Sequence, residues 1–229
     1  MMRSVLILHG ALGSAHQFQR LAEALAPHMH VRILEFVGHG EMPDSAEPWS
    51  IDLFATQLEH ELERMPVRPT KIIGYSMGGY VAIRLAQRRA DLIDRVLTLG
   101  TKLDWSVEGA AREIRMLDPD VIQAKVPAFA ADLQRRHGTD RWRNILQQTA
   151  TMMTTLGAAP LLTPENVVNL FIPVHYGIGD RDEMVTLEET IAFYRATPNA
   201  QLSVLPGTRH PIEKVETQLF VQTILRWID

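Results

Sequence analysis

The chain has 229 residues, 46% hydrophobic and 22% charged, which describes one globular domain with room for a modest insertion. Its net charge is −4 and its 23 basic residues are scattered without a run, which argues against nucleic acid or an anionic membrane surface as the main partner. The absence of cysteine excludes disulfides, thiolate metal sites and a Cys nucleophile, and weakly favours a cytoplasmic home.

The opening "MMRSVLILHG" carries one Arg and a very short apolar run ending at His9-Gly10, which predicts a strand rather than a signal peptide. No stretch approaches the roughly 18 apolar residues of a membrane span. Ser14 is placed to cap a helix in which Phe18, Leu21, Ala22 and Leu25 recur at three- and four-residue steps. A second strand, "VRILEF", leads to the turn Gly38-His39-Gly40. Ser50 then opens a helix carrying Ile51, Phe54, Leu58, Leu62 and Met65. "TKIIGYS" and "RVLTLGT" are the next two strands, with a helix between them.

From Lys102 to Leu170 no strand pattern occurs, but two or three helices do, including "PDVIQAKVPAFAADLQRR" and "DRWRNILQQTATMMTTLGA". That is too long for a crossover, so residues 102–170 are expected to form a helical cap inserted into a core made of 1–101 and 171–229. Met116, Met152, Met153, Trp105, Phe129 and Leu156 are expected to pack these helices together, with a minority lining an apolar pocket. The strands "IPVHYGI" and "AQLSVLPG" resume the rhythm. Thr186 and Glu189 form a capping-box pair between them, and Val215, Leu219, Ile224, Leu225 and Ile228 give the last helix its apolar stripe. Near-continuous apolarity marks strands buried on both faces, and their alternation with helices predicts a doubly wound α/β fold with parallel pairing.

One stretch points to chemistry. In "KIIGYSMGGYVA" a serine sits in a G-x-S-x-G pattern between a predicted strand and a predicted helix. Such a turn strains the backbone and pushes the Ser76 hydroxyl clear of the sheet, with the Met77 N–H at a helix N-terminus beside it; the bland alternative is a tight turn that happens to contain serine. A hydroxyl needs a base and an orienting acid to become a nucleophile. "YGIGDRDEMV" offers Asp182 or Asp180 after the fifth strand, and "LPGTRHPIEKV" offers His210 after the sixth. In a parallel sheet these loops open on one edge, the edge where Ser76 emerges. "HGALGS" ends the first strand there too, so the Ala11 N–H can join Met77 in an oxyanion hole.

"HGALGS", "GHGEMPD", "GYSMGGYVA", "GDRDEMV" and "PGTRHPIEKVE", in this order, resemble the α/β-hydrolase superfamily over nearly the whole chain. The resemblance implies Ser76 as nucleophile, His210 as base, Asp182 as acid through the usual Gly-x-x-Asp spacing from Gly179, and Ala11 and Met77 as oxyanion donors. It implies that the inserted helices are a lid, and Asp104 is a distant third candidate for the acid. The antiparallel hairpin that usually precedes the first strand is missing, so a six-stranded, wholly parallel sheet is expected. Leu12 and Tyr75 are expected at the substrate.

Other residues read as structural. His39 should brace its turn, His9 and His175 should be satisfied core or edge histidines, and His28 and His30 lack further ligands at zinc spacing. No metal or organic cofactor is expected. A dinucleotide-binding oxidoreductase is the rival enzyme class, with Glu35 as the ribose-holding acid, but the loop has Gly-x-x-Gly only and no Tyr-x-x-x-Lys pair exists. A ligand-binding protein on a hydrolase fold is the rival outside enzymes. A menaquinone-pathway type of lyase would use the same three residues on a dianion, and would need cap cations such as Arg112, Arg115 or Arg143. The expectation is a serine hydrolase acting on a small to medium carboxylic ester or thioester through an acyl-enzyme. A homodimer is left open.

Overall fold

Six parallel strands lie side by side in the order β2-β1-β3-β4-β5-β6, namely β1 Arg3–Leu8, β2 Met29–Leu34, β3 Thr70–Tyr75, β4 Ile93–Leu99, β5 Val174–Gly179 and β6 Ala200–Leu205. The structure is a computed structural model that describes residues 3–66 and 70–228, so Met1 and Met2 of the opening stretch lie outside the described residues. Leu8 stands opposite Leu34 on one side and Gly74 on the other, and Leu99 stands opposite both Tyr75 and Gly177. The carboxyl ends therefore finish nearly level. Strand order reverses between β1 and β3, and at such a switch point the two following loops diverge to leave a crevice. Ala11 and Ser76 follow those two strands.

The inner strands of the sheet are filled from both faces, which is why they are largely apolar, while the edge strands β2 and β6 are only partly buried. On one face Leu6, Leu8, Ile72, Val96 and Tyr176 pack against Phe54, Leu58 and Leu62 of α2 (Ile51–Arg64) and Tyr80 of α3 (Met77–Arg88). On the other, Val5, Ile7, Ile73 and Leu97 meet Leu21 and Leu25 of α1 (Gln19–Leu25) and Phe220 and Ile224 of the last helix. Each such buried side chain contributes about 1.5–3 kcal/mol. Ser50 accepts the Leu53 N–H at 3.0 Å to start α2.

Five helices stand between β4 and β5: α4 Val107–Ile114, α5 Pro119–Lys125, α6 Pro127–His137, α7 Trp142–Ala158 and α8 Pro164–Val167. The stretch "PDVIQAKVPAFAADLQRR" is two helices because Pro127 has no N–H and pushes Val126 out of helical geometry, to φ −135° and ψ 58°. Ile122, Ala130, Leu133, Trp142 and Leu146 form a small core of their own, with Phe129 against it. Met116, expected to pack these helices, is instead 74% exposed. Two helices complete the chain: α9 Leu187–Ala196, opened by the Thr186–Glu189 capping box, and α10 Thr217–Ile228.

Two boundaries differ from the sequence pattern. β2 begins at Met29 rather than Val31 because its register is set by pairing with all of β1 from Arg3 onward; Phe36, which extends the apolar run, is buried from the loop beyond. In α10 the most buried side chains are Phe220, Val221, Ile224, Trp227 and Ile228, while Leu219 and Leu225 are only partly covered and Val215 lies before the helix begins, so the buried stripe is rotated toward the aromatics.

A β-carbon at Gly74 would lie 2.4 Å from the Gly79 Cα and 2.5 Å from its nitrogen, backbone atoms that cannot swing away. Gly74→Ala is therefore expected to cost about 1–3 kcal/mol by overpacking. Urea unfolding measures this, and an unchanged midpoint would contradict so close a seat of α3 on β3.

Candidate active site

Ser76 stands between β3 and α3 with φ +50° and ψ −120°, a conformation that costs a side-chain-bearing residue roughly 1–3 kcal/mol. Its surroundings impose it. The Ser76 N–H donates to Leu99 O at 2.9 Å, and the Thr101 hydroxyl donates to Ser76 O at 3.0 Å. Gly78 lets the helix approach β1 so closely that a β-carbon there would lie 2.6 Å from Leu8 O. Met77 is the first residue of α3, where a backbone N–H has no acceptor within the helix.

His210 lies in the loop after β6 and Asp182 in the loop after β5. The His210 Nδ1 is 2.8 Å from Asp182 Oδ2 and 3.1 Å from Oδ1. Asp182 is buried and oriented by the N–H groups of Met184 and Val185, both donating to Oδ1 at 2.9 Å. Gly100, at φ +58°, leaves room for the pair, since a β-carbon there would sit 3.1 Å from Asp182 Oδ2 and 3.3 Å from His210 Nδ1. The other two candidate acids are elsewhere. Asp180 is exposed and its Oδ1 accepts the Thr208 N–H at 3.3 Å; Asp104 is exposed beside Glu189.

The loop after β1 is a turn closed by the Gly13 N–H donating to Gly10 O at 3.1 Å, with Leu12 at φ +58°. His9 anchors it from the core. The Phe36 N–H donates to His9 Nε2 at 3.0 Å, so the proton resides on Nδ1, which donates to Gly10 O at 2.8 Å. A trans peptide then turns the Ala11 N–H away from that doubly held carbonyl. Behind the loop His9, His39 and His137 form a buried cluster, with ring centroids 5.0 Å apart for His9 and His39 and 5.9 Å for His39 and His137. His39 is stacked on Trp49 and its Nδ1 lies 3.2 Å from Val37 O, so it braces its turn. Burial depresses all three: His9 to about 4, His39 well below 6.5, and His137 also downward.

A cleft of about 500 Å³ including its open mouth lies over Ser76. Ala11, Ser76, Met77 and His210 line its base, and Trp105 from the loop before α4 with Met152, Met153 and Leu156 of α7 form much of its wall. Tyr75 and Leu12 are not in the lining. The Tyr75 hydroxyl donates to His210 O at 2.9 Å, which supports the histidine loop from within the core, and Leu12 packs among the core residues instead. The lining carries one cation and one carboxylate, Lys102 and Glu113, which sequence reasoning missed. Lys102 was within reach of it, since it follows Gly100-Thr101 at the sheet edge, but nothing local fixes where its side chain points. Arg112, Arg115 and Arg143 are exposed and outside the lining, with Arg143 paired to Asp120.

Glu35, the residue a dinucleotide site would require, accepts the Ala15 N–H at 2.8 Å and the Glu41 N–H at 3.3 Å, and so ties two loops together. Among the described residues no cluster of three or more His, Asp or Glu could hold a metal ion, and no helix is long and apolar enough to cross a membrane.

A family model for the alpha/beta hydrolase fold matches residues 3–170. The sn-1-specific diacylglycerol lipase ABHD11 of Mus musculus is 31% identical over 253 residues, covering 98% of this chain and 80% of that protein. Lipase LipV of Mycobacterium tuberculosis is 28% identical over 143 residues, 62% of this chain and 52% of its own length, so the match spans about half of that relative. Among solved structures, NosK from Streptomyces actuosus superimposes with a TM-score of 0.82 at 24% identity, covering 99% of this chain and 97% of that one. MenH from S. aureus gives 0.80 at 19% identity, covering 99% and 93%.

The buried histidines make stability depend on pH with a definite sign. Each is neutral in the fold and takes up a proton more readily when unfolded. Their contribution is complete above the unfolded value of 6.5 and is lost as pH falls toward the folded values, about 4 for His9. For His9 alone this amounts to ~3 kcal/mol. The thermal midpoint, followed by calorimetry from pH 7.5 to 4.5, is expected to fall steadily below 6.5; a level midpoint would mean that these rings are not buried neutral.

Proposed function

The chain belongs to the alpha/beta hydrolase fold family, and from that premise we propose that it is a serine hydrolase cleaving a small to medium, largely apolar carboxylic ester or thioester through an acyl-enzyme. The observation that carries this is a convergence: Ser76, His210, Ala11 and Met77 border one cleft, while Asp182 holds the far nitrogen of the His210 ring.

The chemistry follows from the roles these groups can take. With Nδ1–H engaged by Asp182, the His210 Nε2 carries the lone pair that removes the Ser76 proton as the oxygen attacks the carbonyl. The developing oxyanion is met by the N–H groups of Met77 and Ala11; one such donor is worth about 3–4 kcal/mol in measured systems. His210 then protonates the departing alcohol or thiol, and afterwards activates the water that releases the acid. Asp182 keeps the ring in one tautomer and offsets the charge it acquires. The helices between β4 and β5 act as the lid and form the acyl pocket, where Met152 and Met153 can repack around chains of different shape.

The lining favours hydrolysis of an apolar ester over elimination from a dianion. One ammonium and one carboxylate leave the cleft without net charge, and the arginines that a dianion would need stand outside it. The names of the lipase relatives agree with a carboxylic ester as substrate.

Ser76→Ala is expected to fold normally but lose both ester turnover and labelling by a fluorophosphonate; persistent labelling would move the nucleophile elsewhere. Asp182→Asn should lower kcat about 10²–10⁴-fold while Asp180→Asn changes it little. Equal losses would reject Asp182 as the orienting acid. Across a panel of p-nitrophenyl esters, kcat/KM should rise up to about fourfold per added methylene until the cleft is full. A flat series would reject an apolar acyl pocket.

A further inference from the structure

His137 ends α6, in the inserted segment, yet the residue is 1% exposed and its ring bridges two core loops far from it in sequence. Its Nε2 lies 3.0 Å from Leu12 O, and its Nδ1 receives the Gly40 N–H at 3.0 Å. A backbone N–H can only donate, so Nδ1 bears the lone pair and the ring proton sits on Nε2, donated to Leu12 O. Its neighbours reinforce the same contacts. Arg136 reaches Leu12 O at 3.4 Å and Glu213 at 2.8 Å, while Arg141 donates to Gly40 O and to Met42 O.

The residue that His137 holds needs holding. Leu12 has φ +58°, a left-handed conformation that a γ-branched side chain keeps only when its surroundings impose it. The turn Gly10–Gly13 is thus fixed at two carbonyls: Gly10 O by His9 from the sheet side, and Leu12 O by His137 from the inserted helices. Ala11 lies between them.

We propose that His137 is a positioning residue which, from α6, locks this turn in the conformation that directs the Ala11 N–H at the reaction oxyanion, so that the oxyanion hole is complete only while α6 is docked. This rests on the serine-hydrolase reading above. His137 does not border the cleft, so it acts through the loop and not on the substrate.

His137→Phe keeps a ring of similar shape and removes both hydrogen bonds. It is expected to lower kcat about 10- to 100-fold with little change in KM, the signature of a contact made only in the transition state. A trifluoromethyl ketone, whose adduct with Ser76 places an oxyanion in the hole, should weaken by the same factor, while a non-reactive amide of the same shape binds as before. His137→Gln, which retains an N–H able to reach Leu12 O, should recover much of the loss. Unchanged kcat in the Phe variant, or equal weakening of ketone and amide, overturns the proposal, the second because it marks mere loosening of the lid. Should His137→Phe not fold, nitrogen-15 imidazole resonances of the wild type at pH 7.5 decide: a neutral ring with its proton on Nε2 is expected, and an Nδ1–H tautomer or a doubly protonated ring overturns it. A wild type that neither hydrolyses esters nor labels at Ser76 removes the hydrolase reading and the proposal together; an active wild type with an indifferent His137→Phe removes the proposal alone.

Discussion

The carboxyl edge of this sheet depends on how closely α3 approaches β1 and β3. Gly74 and Gly79 nearly touch across that packing, and Gly78 rests on the last carbonyls of β1. A chain that must turn from β3 into a helix so near cannot relax at the turn, so Ser76 is left in a left-handed conformation. The strain persists because it is fixed several times over, by Leu99 and Thr101 as well as by the glycine contacts. The same seating points the first N–H of α3 over the edge. Placement of the hydroxyl and of one prospective oxyanion donor is therefore a single structural event.

The Ala11 N–H, the other prospective donor, needs a different solution, because the loop after β1 is no helix terminus. Here the turn is held by buried neutral imidazoles. A neutral imidazole is one donor and one acceptor on a rigid ring, which suits it to join backbone groups on two loops without introducing a charge into the core. His9 joins Phe36 to Gly10, and His137 joins Gly40 to Leu12. Ionising either would place a second proton where a backbone N–H already points. The low proton affinity that burial confers is thus a condition of the geometry as well as a result of it.

Much of this was legible in the sequence, for reasons that differ from element to element. Strands buried on two faces declare themselves through continuous apolar runs, and their alternation with helices leaves parallel pairing as the only economical topology. That topology alone sends the loops carrying Ser76, Asp182, His210 and Ala11 to one edge, whatever each residue does there. The residues alone leave Asp180 and Asp182 open, and the resemblance prefers Asp182 through its Gly-x-x-Asp spacing; the fold puts Asp182, and not Asp180, against His210. Tyr75 and Leu12 sit beside Ser76 and Ala11 but point into the core, because alternation along a strand and a left-handed φ are not visible as composition. His137 was invisible for a stronger reason. "LQRRHG" reads as an ordinary basic helix end stopped by glycine, and its partners are 125 and 97 residues away.

The inserted helices are therefore more than a cover. Met152, Met153 and Leu156 of α7 face the cleft, whereas α6 and the start of α7 are tied by hydrogen bonds to the loops after β1 and β2. One side of the insertion shapes the cleft over Ser76, and the other is built into the loops that frame it. The two sides also differ in chemistry. The part of the cleft wall that α7 supplies is thioether and aliphatic, adaptable and weakly directional, while the anchoring side is imidazole and guanidinium on backbone groups, rigid and directional. On the hydrolase reading proposed above, such a division lets the shape of the cleft change by substitution in α7 without disturbing the turn that carries Ala11, because the contacts that fix that turn come from residues outside the cleft lining.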